Sequence, residues 1–375
     1  MKNKKYLFIC STQYAILNSI NAVLGDVEKY NGNVDIVIFH QTDDIKNLSK
    51  KIKESKIFSN VYDFPFINNI SSASMIKLFV FPEFFLGKLC FTEKSIGLRR
   101  NYYNVIIAQN QLYGALFRRI HKNADVYLLE DGLSSYTGRT LDLQRRSLVF
   151  RLVNKMFMQG ALLADIKGQF LYNPDMFFGV MDNLIKLPVH KIQNNATYNR
   201  IFRFSDDSLY KSHKFVYLGV PYYGLRALML NPKDANNDFE EQCKFIVDDM
   251  MKLLKETNFI YRTHPIEKVE DKCYKTFCKL DVCQNMWEME CQNTINDDHV
   301  LVSFFSTAAF TPKLLYGKEP YVIFLYKILG IEFLNADDLI CSLRATYRDP
   351  HKVIQPKNLD ELFTIIERLE SKNCS

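Results

Sequence analysis

No CxxC pair occurs in this sequence of 375 residues, although it contains nine cysteines. Some stand alone (Cys10, Cys90, Cys243, Cys341, Cys374), and the others form a loose group (Cys273, Cys278, Cys283, Cys291) with no histidine at zinc-ligand spacing. A zinc site is therefore not expected, and the odd count fits reduced thiols in a cytosolic protein better than a disulfide framework. An uninterrupted apolar stretch of transmembrane length is also missing. The nearest approach, Met75 to Phe91, is broken by Lys77, Pro82, Glu83 and Lys88. It reads as a buried element in preference to a segment lying on a membrane surface. The apolar run after the first lysines turns polar at Ser11-Thr12-Gln13, too soon for a signal peptide, and none is expected. There is no GxxxxGK[ST] loop, so P-loop chemistry is excluded. Nor does a DxD pair stand at a strand end, where a metal-bound nucleotide sugar would need one. Asp43-Asp44, Asp206-Asp207, Asp248-Asp249 and Asp297-Asp298 fall in helix or loop contexts and read as solvated charge.

What is present is ordinary globular material, 47% hydrophobic and 24% charged, in a chain longer than one core supports. Two domains are expected. The net charge of +6 is scattered along the chain, which favours an anionic partner weakly and gives no nucleic-acid motif.

Short apolar runs alternate with helical patterns. Tyr6–Cys10, Val34–Phe39, Asn60–Asp63, Tyr103–Ala108 and Val126–Leu129 read as strands, with helices predicted over Gln13–Leu24 and Gln111–Ile120. From Leu141 to Phe204 the pattern changes. Gln144–Lys155 is a basic amphipathic helix candidate, Asn173-Pro174-Asp175 a turn, and Asn194–Ser208 a polar connecting segment. The alternation restarts with strands at Phe215–Gly219, Phe259–Thr263, Val300–Phe304 and Tyr321–Tyr326. Helices are predicted over Phe239–Lys255, Ala308–Tyr316 (stopped by Gly317) and Asp360–Glu370. This is the pattern of an α/β chain with parallel sheets. The expected organisation is two Rossmann-like doubly wound domains facing across a cleft, residues 1–205 with a helical insert and residues 206–375.

In such sheets ligands lie outside the carboxyl ends of strands, and three strand-end signals stand out. Glu130-Asp131-Gly132 follows Val126–Leu129. Asp131 reads either as a general base for a sugar hydroxyl, raised in pKa by its neighbour, or as an Asp-Gly turn. His264-Pro265 follows Phe259–Thr263. The proline holds the histidine extended, able to donate to a phosphate oxygen or protonate a leaving group, or simply to cap a carbonyl at the surface. Ser306-Thr307, with Ser303 before them, follow Val300–Phe304 and read as a phosphate site at a helix N-terminus or as a plain cap. Gln13 with Tyr14, and Gln109 with Asn110 and Gln111, are strand-end polar residues that could line an acceptor or only cap helices. Arg99, Arg100, Arg145, Arg146, Arg151 and Lys155 form basic runs, read as solvated face over membrane contact.

The set Glu130-Asp131-Gly132, His264-Pro265 and Phe304-Phe305-Ser306-Thr307-Ala308-Ala309, in this order and each after a β run, resembles the bacterial sialyltransferases of the GT-B type. The nearest pattern is glycosyltransferase family 52, which includes lipooligosaccharide and capsule sialyltransferases. The resemblance implies inverting, metal-independent transfer of N-acetylneuraminic acid from CMP-Neu5Ac to a galactose-type hydroxyl. The C-terminal domain would hold CMP with Gly219, His264, Pro265, Ser303, Ser306 and Thr307. Gln13, Gln109, Glu130, Gly132 and Tyr222 would lie on the acceptor side. It further implies a cytoplasmic protein, peripheral on the inner face of the membrane, and a homodimer. One departure stands out. Family 52 members carry a catalytic Asp just after the first C-domain strand, where this chain reads Leu218-Gly219-Val220-Pro221-Tyr222-Tyr223. Related GT-B sialyltransferases use the Asp of the acid-acid-Gly motif instead, which assigns the base to Asp131. The alternatives are a GT-B hexosyltransferase using a UDP sugar and a non-catalytic glycan-assembly protein.

Overall fold

A computed structural model describes residues 4–40, 43–65, 101–137, 166–189, 191–222, 225–226, 229, 238–254, 259–264, 279–281, 285–333 and 335–371. The chain divides into two compact units, Met1–Phe202 and Arg203–Ser375.

In the first unit, β1 (Tyr6–Cys10), β2 (Val34–His40), β3 (Asn60–Pro65), β4 (Val105–Ala108), β5 (Asp125–Leu129), β6 (Ile166–Leu171) and β7 (Leu184–Lys186) form one sheet in the order β3-β2-β1-β4-β5-β6-β7. Every pairing is parallel. Strands β1 and β4 are buried along their whole length and are rich in isoleucine and aromatic residues, the composition of strands covered on both faces. Among the described residues the helices are α1 (Gln13–Gly25), the single turn α2 (Val27–Tyr30), α3 (Asp43–Ser55), α4 (Gln111–Ile120) and α5 (Asn195–Phe202). On one face, Phe39 of β2 stacks on Tyr113 of α4 with ring centroids 4.6 Å apart.

In the second unit, β8 (Phe215–Leu218), β9 (Phe259–Arg262), β10 (Lys279–Asp281), β11 (Val300–Ser303), β12 (Tyr321–Phe324) and β13 (Val353–Ile354) pair in parallel in the order β10-β9-β8-β11-β12-β13. Its helices among the described residues are α6 (Phe239–Leu254), α7 (Trp287–Asn293), α8 (Thr311–Tyr316), α9 (Ala336–Thr346) and α10 (Leu359–Ser371). Each sheet reverses its direction of growth beside its first strand, between β1 and β4 and between β8 and β11. These are the switch points at which doubly wound sheets hold ligands. The α/β, doubly wound class expected from the sequence is the one found.

Several elements differ from the sequence reading. The stretch after Leu141 carries β6 and β7, which extend the first sheet beyond β5; Gly168 and Gln169 interrupt the apolar run of β6 and hide it. Asn194–Ser208 is not merely a connection, because α5 lies within it and buries Tyr198 and Ile201. The helix expected from Ala308 is split into a 3-10 turn at Thr307–Ala309 and α8, which has Pro312 in its first turn. Gly317 ends α8 with φ 67°, the left-handed cap expected of it. Strands β10 and β13 and helices α7 and α9 have no counterpart in the sequence reading. Met75 to Phe91, Gln144–Lys155 and the basic runs at Arg99 and Arg145 lie outside the described residues, as does Pro265. Among the described residues, no helix is long and apolar enough to cross a membrane.

Candidate functional site

In the first unit the site grows from the switch point. Strand β1 ends at Cys10 and the chain turns through Ser11 into Thr12, whose hydroxyl caps α1 by accepting from Ala15 N at 3.1 Å. Strand β4, next to β1, ends at Ala108 and delivers Gln109. The Gln109 amide oxygen accepts from Ser11 N at 2.7 Å and from Ser11 Oγ at 3.0 Å. Its amide nitrogen donates to Asp131 Oδ2 at 2.9 Å, across to the end of β5. The Thr12 side chain also acts on the Asp131 carboxyl, lowering its pKa. The expectation that Gln109 faces a sugar needs correcting. It is only 6% exposed, and its amide is engaged by Ser11 and Asp131. It orients the carboxylate and does not line a surface.

Asp131 and Glu130 have opposite environments. Asp131 is half-buried, and its pKa is raised by burial, opposed by the hydrogen bond from Gln109 and by the Thr12 side chain. The cause is therefore burial and not the neighbouring acid invoked from the sequence. Glu130, expected on the acceptor side, is fully buried. It accepts from Tyr14 OH at 2.7 Å, Tyr136 OH at 2.5 Å and Tyr172 N at 2.8 Å. Burial pushes its pKa up to about 7 against those donors, and the Asp131 charge adds to the rise. A carboxylate enclosed in this way cannot reach an acceptor.

Gly132 has φ 81° and ψ −163°, a region open to glycine alone, and it turns the chain into the 3-10 helix Leu133–Tyr136. Ser135 closes the turn by accepting from Asp131 N at 2.8 Å through its hydroxyl. This serine was missed in the sequence. A hydroxyl four residues after the acid, following a glycine, is the only local signal for it. Gln13 opens α1 and is half-buried.

In the second unit the residues expected to hold the donor gather at the carboxyl edge of adjacent strands. Gly219 follows β8 and is buried, with its N–H donating to Arg262 O at 2.9 Å. His264 follows β9, is half-buried, and has its pKa lowered by burial, which favours the uncharged imidazole. Ser306 follows β11, and its hydroxyl accepts from Ala308 N at 3.2 Å while keeping an O–H of its own as a donor. Thr307 is the next residue in that turn. Ser303 requires correction as a phosphate ligand. It is fully buried at the end of β11, and its hydroxyl has no hydrogen-bond partner. Tyr222 lies just past β8, half-buried, with Lys244 Nζ 6.0 Å from its ring centre.

Beneath His264 runs a buried ion pair that sequence reading did not find. Arg262 of β9 meets Asp281 of β10 at 2.6 Å and donates to Asn285 O at 2.6 Å; its guanidinium lies 5.3 Å from the Trp287 ring. Tyr210 OH also donates to Asp281 at 2.5 Å. Trp287 Nε1 in turn donates to Ala308 O at 2.8 Å, tying the start of α7 to the Ser306 turn. Next to Trp287, half-buried Glu288 has its pKa pushed up to about 7 by burial. Among the described residues, no cluster of three or more histidine, cysteine, aspartate or glutamate side chains could hold a metal ion.

The sequence matches no protein-family model and no curated protein. Solved structures share its fold. UDP-GlcNAc 2-epimerase from Neisseria meningitidis, bound to UDP-GlcNAc, is similar at TM-score 0.50 and 12% identity, over 98% of this chain and 91% of that one. The putative UDP-N-acetylglucosamine 2-epimerase from Listeria monocytogenes is similar at TM-score 0.51 and 9% identity, over 100% and 89%. A sialyltransferase from Photobacterium damsela reaches TM-score 0.46 and 10% identity, over 94% and 81%. At these identities the likeness is one of fold: α/β, doubly wound and of the GT-B type across the full chain.

Proposed function

We propose that the chain is an inverting glycosyltransferase that moves N-acetylneuraminic acid from CMP-Neu5Ac to a galactose-type hydroxyl. The observation that carries the reading is Asp131: a carboxylate raised in pKa by burial, oriented by Gln109, at a strand end beside a switch point. In the proposed reaction Asp131 takes the proton of the acceptor hydroxyl as its oxygen attacks the anomeric carbon. The bond to the phosphate breaks, CMP leaves with the electron pair, and the configuration inverts.

The leaving phosphate is already acidic, and hydrogen bonds are enough to stabilise it. The reading assigns these to the imidazole of His264 and the hydroxyls of Ser306 and Thr307, and requires no metal. It makes residues of both units necessary to one reaction, as the acid-acid-Gly, His-Pro and Ser-Thr pattern of the sequence implies.

A second reading, an enzyme acting on a UDP sugar, is favoured by the fold likeness to the Neisseria meningitidis epimerase bound to UDP-GlcNAc. Incubation with CMP-Neu5Ac and with UDP sugars, each with and without a galactoside, separates them. CMP release with a sialylated product supports the first. UDP release, or epimerisation of a UDP sugar with no CMP release, supports the second.

A further inference from the structure

We propose that Glu130 is a positioning residue that acts through Tyr14, locking the first turn of α1 against the strand end that carries Asp131. The proposal rests on the transferase reading above for its catalytic consequence.

The Glu130 carboxylate draws three separate elements together. Tyr14 comes from the first turn of α1, Tyr136 from the 3-10 turn after Gly132, and Tyr172 N from the end of β6. The Glu130 carbonyl accepts from Asn18 Nδ2 at 3.0 Å, and Asn18 Oδ1 accepts from Tyr172 OH at 2.7 Å. Tyr14 and Asn18 are four residues apart, so both lie on one face of α1, and that face is pinned to the Glu130 peptide. Asn21, one turn further on, donates to Tyr172 OH at 2.5 Å and accepts from Tyr198 OH. Ser11 and the α1 cap Thr12 stand just before Tyr14, and Ser11 holds the Gln109 amide that donates to Asp131. Anchoring Tyr14 therefore anchors the turn through Ser11, and with it the Gln109 amide that orients Asp131.

Simple stability does not account for this carboxylate. A buried acid with no cationic partner costs free energy that an apolar side chain would avoid. Among the described residues, the titratable groups that act on it are Tyr14, Tyr136, Tyr172 and, on its own strand end, Asp131, and no cation is among them. Three donors converge on its two oxygens, an arrangement that suits an acceptor-only group. The convergence lies one residue from Asp131.

The test is Tyr14→Phe, with Glu130→Gln as a second variant should the first fail to fold. Both are compared with the intact protein in turnover and in the Asp131 carboxyl titration followed by ¹³C NMR and assigned with Asp131→Asn. We expect either variant to lower kcat about tenfold, with donor KM changed by less than about twofold, and to move the Asp131 midpoint. Wild-type kcat together with an unmoved Asp131 midpoint overturns the proposal. If the intact protein turns over no CMP-Neu5Ac, the transferase reading fails by itself. The NMR titration then decides whether Tyr14 positions Asp131: a moved midpoint supports the contact, an unmoved one refutes it.

Discussion

Gln109 reaches from the end of β4 to Asp131 at the end of β5, donating a hydrogen bond of 2.9 Å. Because Ser11 holds the other end of the same amide, flipping it would break three contacts at once. The carboxylate is therefore aimed by the fold before any substrate arrives. Asp131→Asn should lower transfer by about 10² to 10⁴, the usual contribution of a positioned base, while CMP affinity measured by calorimetry stays unchanged. Gln109→Leu should cost about tenfold in kcat, the loss of one hydrogen bond to a charged group.

Glu130 makes stability depend on pH. Its folded pKa of about 7 lies above the ordinary glutamate value of 4.5, so between those values the folded chain binds more protons than the unfolded one. The stabilisation is complete below pH 4.5 and is lost as pH rises through about 7. It amounts to about 3 kcal/mol for this group. In Glu130→Gln that loss is absent. Urea denaturation of both proteins between pH 5 and pH 8 should show the wild type declining relative to the variant as pH rises. Parallel curves would refute the buried titration.

The Arg262–Asp281 pair should matter far more to folding than an exposed pair of the same length. Asp281→Ala removes the carboxylate that neutralises the buried Arg262 guanidinium, which costs about 3–5 kcal/mol. Asp206, which meets Lys211 at 2.6 Å on the surface, should be replaceable by alanine with a change under about 1 kcal/mol. Chemical denaturation of the two variants makes the comparison.

Ser306→Ala removes both a cap on the turn after β11 and a hydroxyl donor. CMP binding should weaken by about tenfold or less, and this variant should separate from Asp131→Asn, which keeps its affinity. Equal CMP affinity in the wild type and Ser306→Ala would remove this residue from the donor site.

The fold was legible where strands were continuous apolar runs, as in Tyr6–Cys10, Val105–Ala108 and Val300–Ser303. It was hidden where a strand depends on a distant partner. β10 carries Asp281 inside the second unit, which is tolerable only because Arg262 of the next strand neutralises it. The acid pair was also legible as a pair, but the division of labour within it was not. Glu130 is enclosed by Tyr14, which is 116 residues away, and by Tyr172, which is 42 away. No local pattern announces which of two adjacent carboxylates such partners will bury. Ser303 shows the same limit. Three residues before Ser306 it reads as another hydroxyl for a phosphate, yet the pairing of β11 with β12 leaves it inside the sheet.

The most direct test follows product formation from CMP-Neu5Ac and a galactoside by NMR, with EDTA present, for the wild type, Asp131→Asn and His264→Ala. The account predicts a sialylated product of inverted configuration from the wild type, undiminished by the chelator, with little from either variant. Full turnover by Asp131→Asn, or release of UDP from a UDP sugar with none of CMP from CMP-Neu5Ac, would contradict it.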